Sequence, residues 1–198
     1  MAVLFGLLWP FERINGGLLA VGRVVAIVAL MIMVIIILVQ VVSRYVFDAP
    51  LNWTEEAARF GMLWMTALIA PMAYRQGGFV AIDMAERALP RIPSALLTLA
   101  ILFSALSLLV TMSWIGWDRH VDSMTGRGSS ASLRLPLDWV GGERIKFQNN
   151  WQYASLWICC ILLVSVTVEL ILRQLISLFG GGARLKRLDG TEELPGAA

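Results

Sequence analysis

The chain has 198 residues, of which 58% are hydrophobic and 15% charged, and its formal net charge is +2. Soluble domains are nearer one quarter charged, and apolar runs as long as those found here signal membrane spans. The net charge is too small to point to a nucleic-acid partner.

In chain order, Met1 to Leu19 mixes Leu4, Phe5, Leu7, Leu8, Trp9 and Phe11 with Glu12 and Arg13, broken by Pro10 and Gly16-Gly17. That pattern predicts either a short segment in the membrane interface or a poorly ordered terminus. The first span follows from Val24 to Val42, interrupted only by Gln40. As a helix it is about 28 Å long, roughly one hydrocarbon core. Arg13 and Arg23 precede it, but the run is too long for a signal-peptide core, and Val42-Ser43-Arg44-Tyr45 is a poor cleavage site, so it reads as a retained helix. A polar loop from Arg44 to Asn52 leads to the second span, Ala57 to Tyr74. Asn52 with Glu55 fits a capping box, and Pro71 predicts a kink near Ala67 to Pro71.

Gly77-Gly78 ends that helix, and Val80 to Leu89 reads as a short amphipathic piece with Asp83 and Arg87 four apart. Pro90 and Pro93 punctuate the entry to an uncharged third span, Ser94 to Trp117. The loop from Asp118 to Asn150 is too long for a tight connection and is expected over an extramembrane face. The fourth span runs from Trp151 to Val168, then Glu169 and a further apolar turn to Ile176; Glu169 and Arg173, four apart, read as an interfacial pair. Gly180-Gly181-Gly182 caps it, and Arg184, Lys186 and Arg187 open a tail.

The fold class predicted is therefore an all-α membrane protein with four transmembrane helices (about 24–42, 57–74, 94–117 and 151–176) and short interfacial helices. These form one domain over 1–179, followed by a flexible cytoplasmic tail over 180–198. Lysine and arginine in the flanks favour cytoplasmic N- and C-termini. Trp53, Trp114, Trp117, Trp139 and Trp151 then gather on the outer side, as interfacial anchors do.

Little here suits chemistry. The first and third spans hold no ionisable group, which a carrier or intramembrane enzyme needs at depth. His120 is the only histidine, so paired haem ligation is out of reach, and Cys159 and Cys160 are adjacent rather than spaced for redox work. No phosphate-cradling glycine loop or nucleophile elbow is present. No cofactor and no metal site are expected. What remains is Glu55, Glu56 and Arg59 at the mouth of the second helix, where Arg59 can pair with either acid. Either the acids cap the helix and Arg59 snorkels outward, or one carboxylate is left to meet a basic group on another membrane subunit. Phe60 and Trp64 extend the same stretch as an aromatic stripe. At the other end of the helix, Arg75 with Gly77-Gly78 reads as a positive-inside anchor and glycine cap.

The pattern Trp53-x-Glu55-Glu56-x-x-Arg59, then Trp64, then Arg75-x-Gly77-Gly78-x-Val80-x-x-Asp83, resembles the small membrane subunit of tripartite ATP-independent periplasmic (TRAP) transporters. The four-span layout, Leu89-Pro90 and Leu135-Pro136-Leu137 resemble that family too, over roughly residues 20 to 178. The resemblance implies a non-catalytic, multi-pass subunit of the bacterial inner membrane. Its partners would be the lipid bilayer, a large membrane subunit and a periplasmic substrate-binding protein. It would scaffold the large elevator-type subunit during sodium-coupled uptake of an organic acid. Trp53, Glu55, Glu56, Arg59, Trp64, Arg75, Gly77, Gly78 and Asp83 are the candidate partner-interface residues. Two features depart from the family pattern: Phe79 stands where histidine is frequent, and the loop from Asp118 to Asn150 is longer than usual. The competing readings are a membrane adaptor of another complex and a stand-alone small carrier or membrane enzyme.

Overall fold

The computed structural model describes residues 2–49, 51–76, 91–118, 129–135, 145–148 and 150–178. In chain order these form α1 (Ala2–Val46), α2 (Asn52–Arg75), α3 (Arg91–Ile115), β1 (Ser129–Leu135), β2 (Ile145–Gln148) and α4 (Asn150–Leu178). The expected amphipathic piece over 80–89 and the tail over 180–198 lie outside the described residues.

Among the described residues, three helical stretches are long and apolar enough to cross a membrane: Gly6–Val46, Ile92–Asp118 and Trp151–Leu178. They contain three of the four expected spans. Helix α2, with Arg59, Arg75 and two acids, is the least apolar of the four described helices and is not among them. Two features differ from expectation. The predicted break before the first span is absent, because α1 runs unbroken for 45 residues through Pro10 and the paired glycines. One face of that stretch is held in place: Asn15 and Leu19 are buried, and a Cβ at Gly16 would stand 3.9 Å from Arg75 Nη1. The fold is also not wholly α. The long loop contains an antiparallel pair, β1 against β2, registered Arg134↔Lys146 and Leu135↔Ile145 with an irregularity before Arg134.

From Asn15 onward a sheltered stripe of α1 runs through Asn15, Leu19, Gly22, Ala26, Ala29, Met33, Ile36, Gln40 and Ser43, alternately four and three residues apart, with Gly16 beside it. That is a heptad spacing, the pattern of helices packed at a shallow left-handed crossing. These positions are mostly small or polar, whereas Val, Ile and Leu fill the exposed side. Water-soluble helices show the opposite arrangement. In lipid, apolar side chains gain nothing by leaving the solvent, so small residues that permit close approach occupy the interface.

The described residues fall into two compact units. One comprises Val21–Ile69 and Met112–Cys159. In it α1 and α2 meet at glycines: a Cβ at Gly22 would stand 3.5 Å from the Leu68 carbonyl oxygen, and one at Gly61 3.7 Å from Met33 Cβ, both ordinary van der Waals contacts. Ala26 and Ala67 are buried in the same unit. Trp117 and Trp157 tilt together with ring centroids 4.7 Å apart, and Gly116, in the π turn that ends α3, leaves room for Trp157. The turn out of α1 places Asp48 at φ 50 and donates the Ala49 N–H to the Ser43 carbonyl. Aspartate tolerates that left-handed conformation, whereas β-branched residues do not. Asp48→Val is therefore expected to lower stability by about 1–2 kcal/mol in a detergent unfolding titration, and Asp48→Gly to leave it unchanged or raise it.

The other unit comprises Met1–Ala20, Ala70–Thr111 and Cys160–Ala198. Its apolar core joins Leu99 and Leu102 of α3 to Ile171 of α4, with Leu106, Leu170 and Leu175 packed around them. Beside that core lies a cluster of charged side chains.

Candidate functional site

The cluster is built on α4. Glu169 is completely buried, at 0% exposure, within an otherwise apolar stretch. One turn later Arg173 returns its Nε to Glu169 Oε1 at 3.1 Å, so the expected i,i+4 pair forms, and it is packed against other helices rather than exposed. The main counter-charge comes from the last residue of α2. Arg75 donates Nη2 to Glu169 Oε1 at 2.8 Å and Nε to Oε2 at 3.0 Å, a two-pronged geometry that only a guanidinium offers. From α1, Asn15 donates its amide to Oε2 at 2.8 Å, and Glu12 Oε1 meets Arg173 Nη2 at 3.2 Å.

A second tier orients these groups. Ser165 donates its hydroxyl to Asn15 Oδ1 at 2.7 Å, which fixes the amide with its NH2 toward the carboxylate. Arg75 Nη2 also reaches the Glu12 backbone carbonyl at 3.4 Å. Thr167 Oγ1 lies 2.7 Å from the Leu163 carbonyl and 3.3 Å from the Tyr74 hydroxyl. Two acids and two arginines balance within the cluster. Both oxygens of Glu169 are engaged by several donors, so the carboxylate has no lone pair left to take up a cation or relay a proton. Charges so placed link α1, α2 and α4 at a single carboxylate. Among the described residues, no group of three or more histidine, cysteine, aspartate or glutamate side chains could hold a metal ion.

The residues expected at a partner interface are arranged differently. Arg59 Nη2 and Glu55 Oε1 are 3.9 Å apart and both well exposed, at 64% and 76%. An exposed pair of this kind contributes about 0.3–0.5 kcal/mol at most. Trp53 is exposed and Glu56 half-buried. Trp64 tilts against Phe60 with centroids 5.9 Å apart, and its buried indole N–H has no acceptor among the described residues. Arg75, sixteen residues beyond Arg59 on α2, belongs instead to the buried cluster. Gly77, Gly78 and Asp83 lie outside the described residues.

Sequence reasoning missed Glu12, Asn15 and Ser165 and misread the surroundings of Arg75. A usable signal existed in the shared side of the membrane expected for the C-terminal ends of the second and fourth spans. An arginine and a glutamate at the same depth are potential partners.

Residues 33–142 match the family model described as tripartite ATP-independent periplasmic transporters, DctQ component. Over 104 residues the chain is also 26% identical to a protein of Haemophilus influenzae named as a TRAP transporter small permease protein. That match covers 51% of this chain and 65% of the relative's length. With the family match extending over more than half of its residues, the chain belongs to the DctQ component family of tripartite ATP-independent periplasmic transporters.

Proposed function

We propose that the chain is the non-catalytic small transmembrane subunit of a tripartite transporter. In this reading it spans the bacterial inner membrane four times with both termini cytoplasmic, as one domain over 1–179. It braces a large elevator-type membrane subunit that imports an organic acid, coupled to sodium and supplied by a periplasmic binding protein. The observation that carries the reading is the saturated carboxylate of Glu169. Its donors come from three helices, an arrangement suited to rigidity, and a moving subunit needs a rigid one to push against. A group that shuttled a proton or a cation would keep a free lone pair. The exposed Trp53, Glu55 and Arg59, with the half-buried Glu56 beside them, supply polar contacts for a neighbouring subunit.

The test is to tag this chain and co-express it with the large membrane protein encoded beside it. A stable one-to-one complex in detergent is expected. Arg59→Ala and Glu56→Ala are expected to reduce the recovered large subunit several-fold while changing the stability of the tagged chain by no more than about 0.5 kcal/mol. A chain that purifies alone, folded and monodisperse, would overturn the scaffold reading. Variants that assemble and transport as the native chain does would confine Glu56 and Arg59 to capping α2.

A further inference from the structure

Helix α2 has a length problem that the ion cluster answers. Between Arg59 and Arg75 only residues 60–74 are uncharged, about 22 Å of helix, whereas a hydrocarbon core is about 30 Å thick. If α2 crosses the membrane, its two arginines cannot both lie clear of the hydrocarbon without help. Arg59 is exposed, has Glu55 one turn back toward the helix end, and can snorkel. Arg75 points inward instead, its side chain only 15% exposed and clamped to Glu169. The least apolar of the described helices is thus the one that ends in a largely sheltered, ion-paired arginine.

We infer that α2 is a conditional span, held across the membrane by the counter-charge of Glu169 rather than by its own hydropathy. The inference rests on the four-span reading proposed above. Glu169 lies 94 residues after Arg75, so α2 gains its counter-charge only once α4 is in place. Until then α1 and α2 are held by the close glycine contacts at Gly22 and Gly61. Asn15 and Arg173 position the Glu169 carboxylate, and the pair of Arg173 with Glu12 stands independently of Arg75. The two partners are therefore unequal. Removing Arg75 leaves Glu169 with Arg173 and Asn15, whereas removing Glu169 leaves Arg75, among the described residues, with the Glu12 backbone carbonyl as its hydrogen-bond acceptor and no carboxylate in direct contact.

The test uses the full chain in cells with single reporter cysteines, Phe47→Cys before α2 and Gln76→Cys after it, and a membrane-impermeant maleimide. Cys159 and Cys160 are buried, so the parent chain supplies the background. In the otherwise native chain, position 47 is expected to label in intact cells and position 76 only after permeabilisation. Labelling of both in intact cells would overturn the four-span reading itself. With Glu169→Ala, labelling of position 76 in intact cells is expected to rise roughly tenfold or more. With Arg75→Leu alone, and with Arg75→Leu and Glu169→Ala together, the native pattern is expected. A Glu169→Ala chain that keeps the native pattern overturns the inference. If that chain fails to accumulate, recovery in the double variant supports the inference. Loss of the double variant as well overturns it, by placing the defect in packing rather than charge.

Discussion

Glu169→Ala is expected to lower the stability of the purified chain by about 3–5 kcal/mol, the largest effect of any single substitution among the described residues. The magnitude follows from what is left behind. Arg75 Nε and Nη2, Arg173 Nε and the Asn15 amide all lose their acceptor in one step, around a carboxylate that is itself fully buried. Breaking a buried pair costs more than the pair contributes, because the surviving charge keeps its desolvation penalty. The measurement is reversible unfolding in mixed micelles, titrated with a denaturing detergent. Arg75→Met with Glu169→Met is the informative companion. It removes both charges and fills the space, and is expected to restore stability to within about 1–2 kcal/mol of the native chain. A double variant as unstable as Glu169→Ala would mean that the hydrogen-bond geometry, rather than charge balance, stabilises the cluster.

The neutral double variant also separates stability from transport. If the cluster only braces the subunit, Arg75→Met with Glu169→Met should support complex formation and uptake close to native levels. Loss of uptake in a stable, fully assembled complex would instead assign the charges a part in moving substrate or ions.

Much of the helical layout was legible because it depends on local composition. The uncharged runs from Val24 to Val42 and from Ser94 to Trp117 lie in helices long and apolar enough to cross a membrane, as does the run beginning at Trp151. Helix α2 begins at Asn52, where the capping signal stands, and there the buried Thr54 hydroxyl donates to the Leu51 carbonyl at 2.7 Å. The cluster was hidden for the opposite reason. Arg75 meets Glu169 across 94 residues and Asn15 meets it across 154, separations on which local periodicity is silent. The sheltered stripe of α1 was equally hard to see. Hydropathy marks Val24 to Val42 as apolar throughout, and only the 4–3 spacing of Gly22, Ala26, Ala29, Met33, Ile36 and Gln40 distinguishes the packed side from the exposed one. Gln40, an isolated exception in the sequence, is one member of that stripe. Pro10 misled because a proline costs a helix one hydrogen bond without necessarily ending it, and α1 continues through it with Glu12 and Asn15, in the next turns, bonded to α4.

Gly22→Leu is expected to lower stability by about 1–3 kcal/mol, and Gly22→Ala to be tolerated. The distinction comes from how α1 meets α2. A Cβ at Gly22 would lie 3.5 Å from the Leu68 carbonyl oxygen and 3.8 Å from Leu68 Cβ, ordinary contacts that a methyl group can make. The further carbons of a leucine would need the space that Leu68 already fills, so the helices must separate or the side chains leave their rotamers. Separation is costly in lipid. The attraction between these helices comes from dispersion at short range and from weak C–H to carbonyl contacts, both of which fall away within about 1 Å. Shortening the opposing residue tests the mechanism. Gly22→Leu combined with Leu68→Ala should be more stable than the sum of the two single losses predicts, by about 1 kcal/mol in the same unfolding titration. Strict additivity would show that the leucine at position 22 points into lipid and that α1 and α2 are not in close contact there. A favourable coupling would identify the glycine contact as an attachment that holds α2 to α1 without the charges of Arg75 and Glu169.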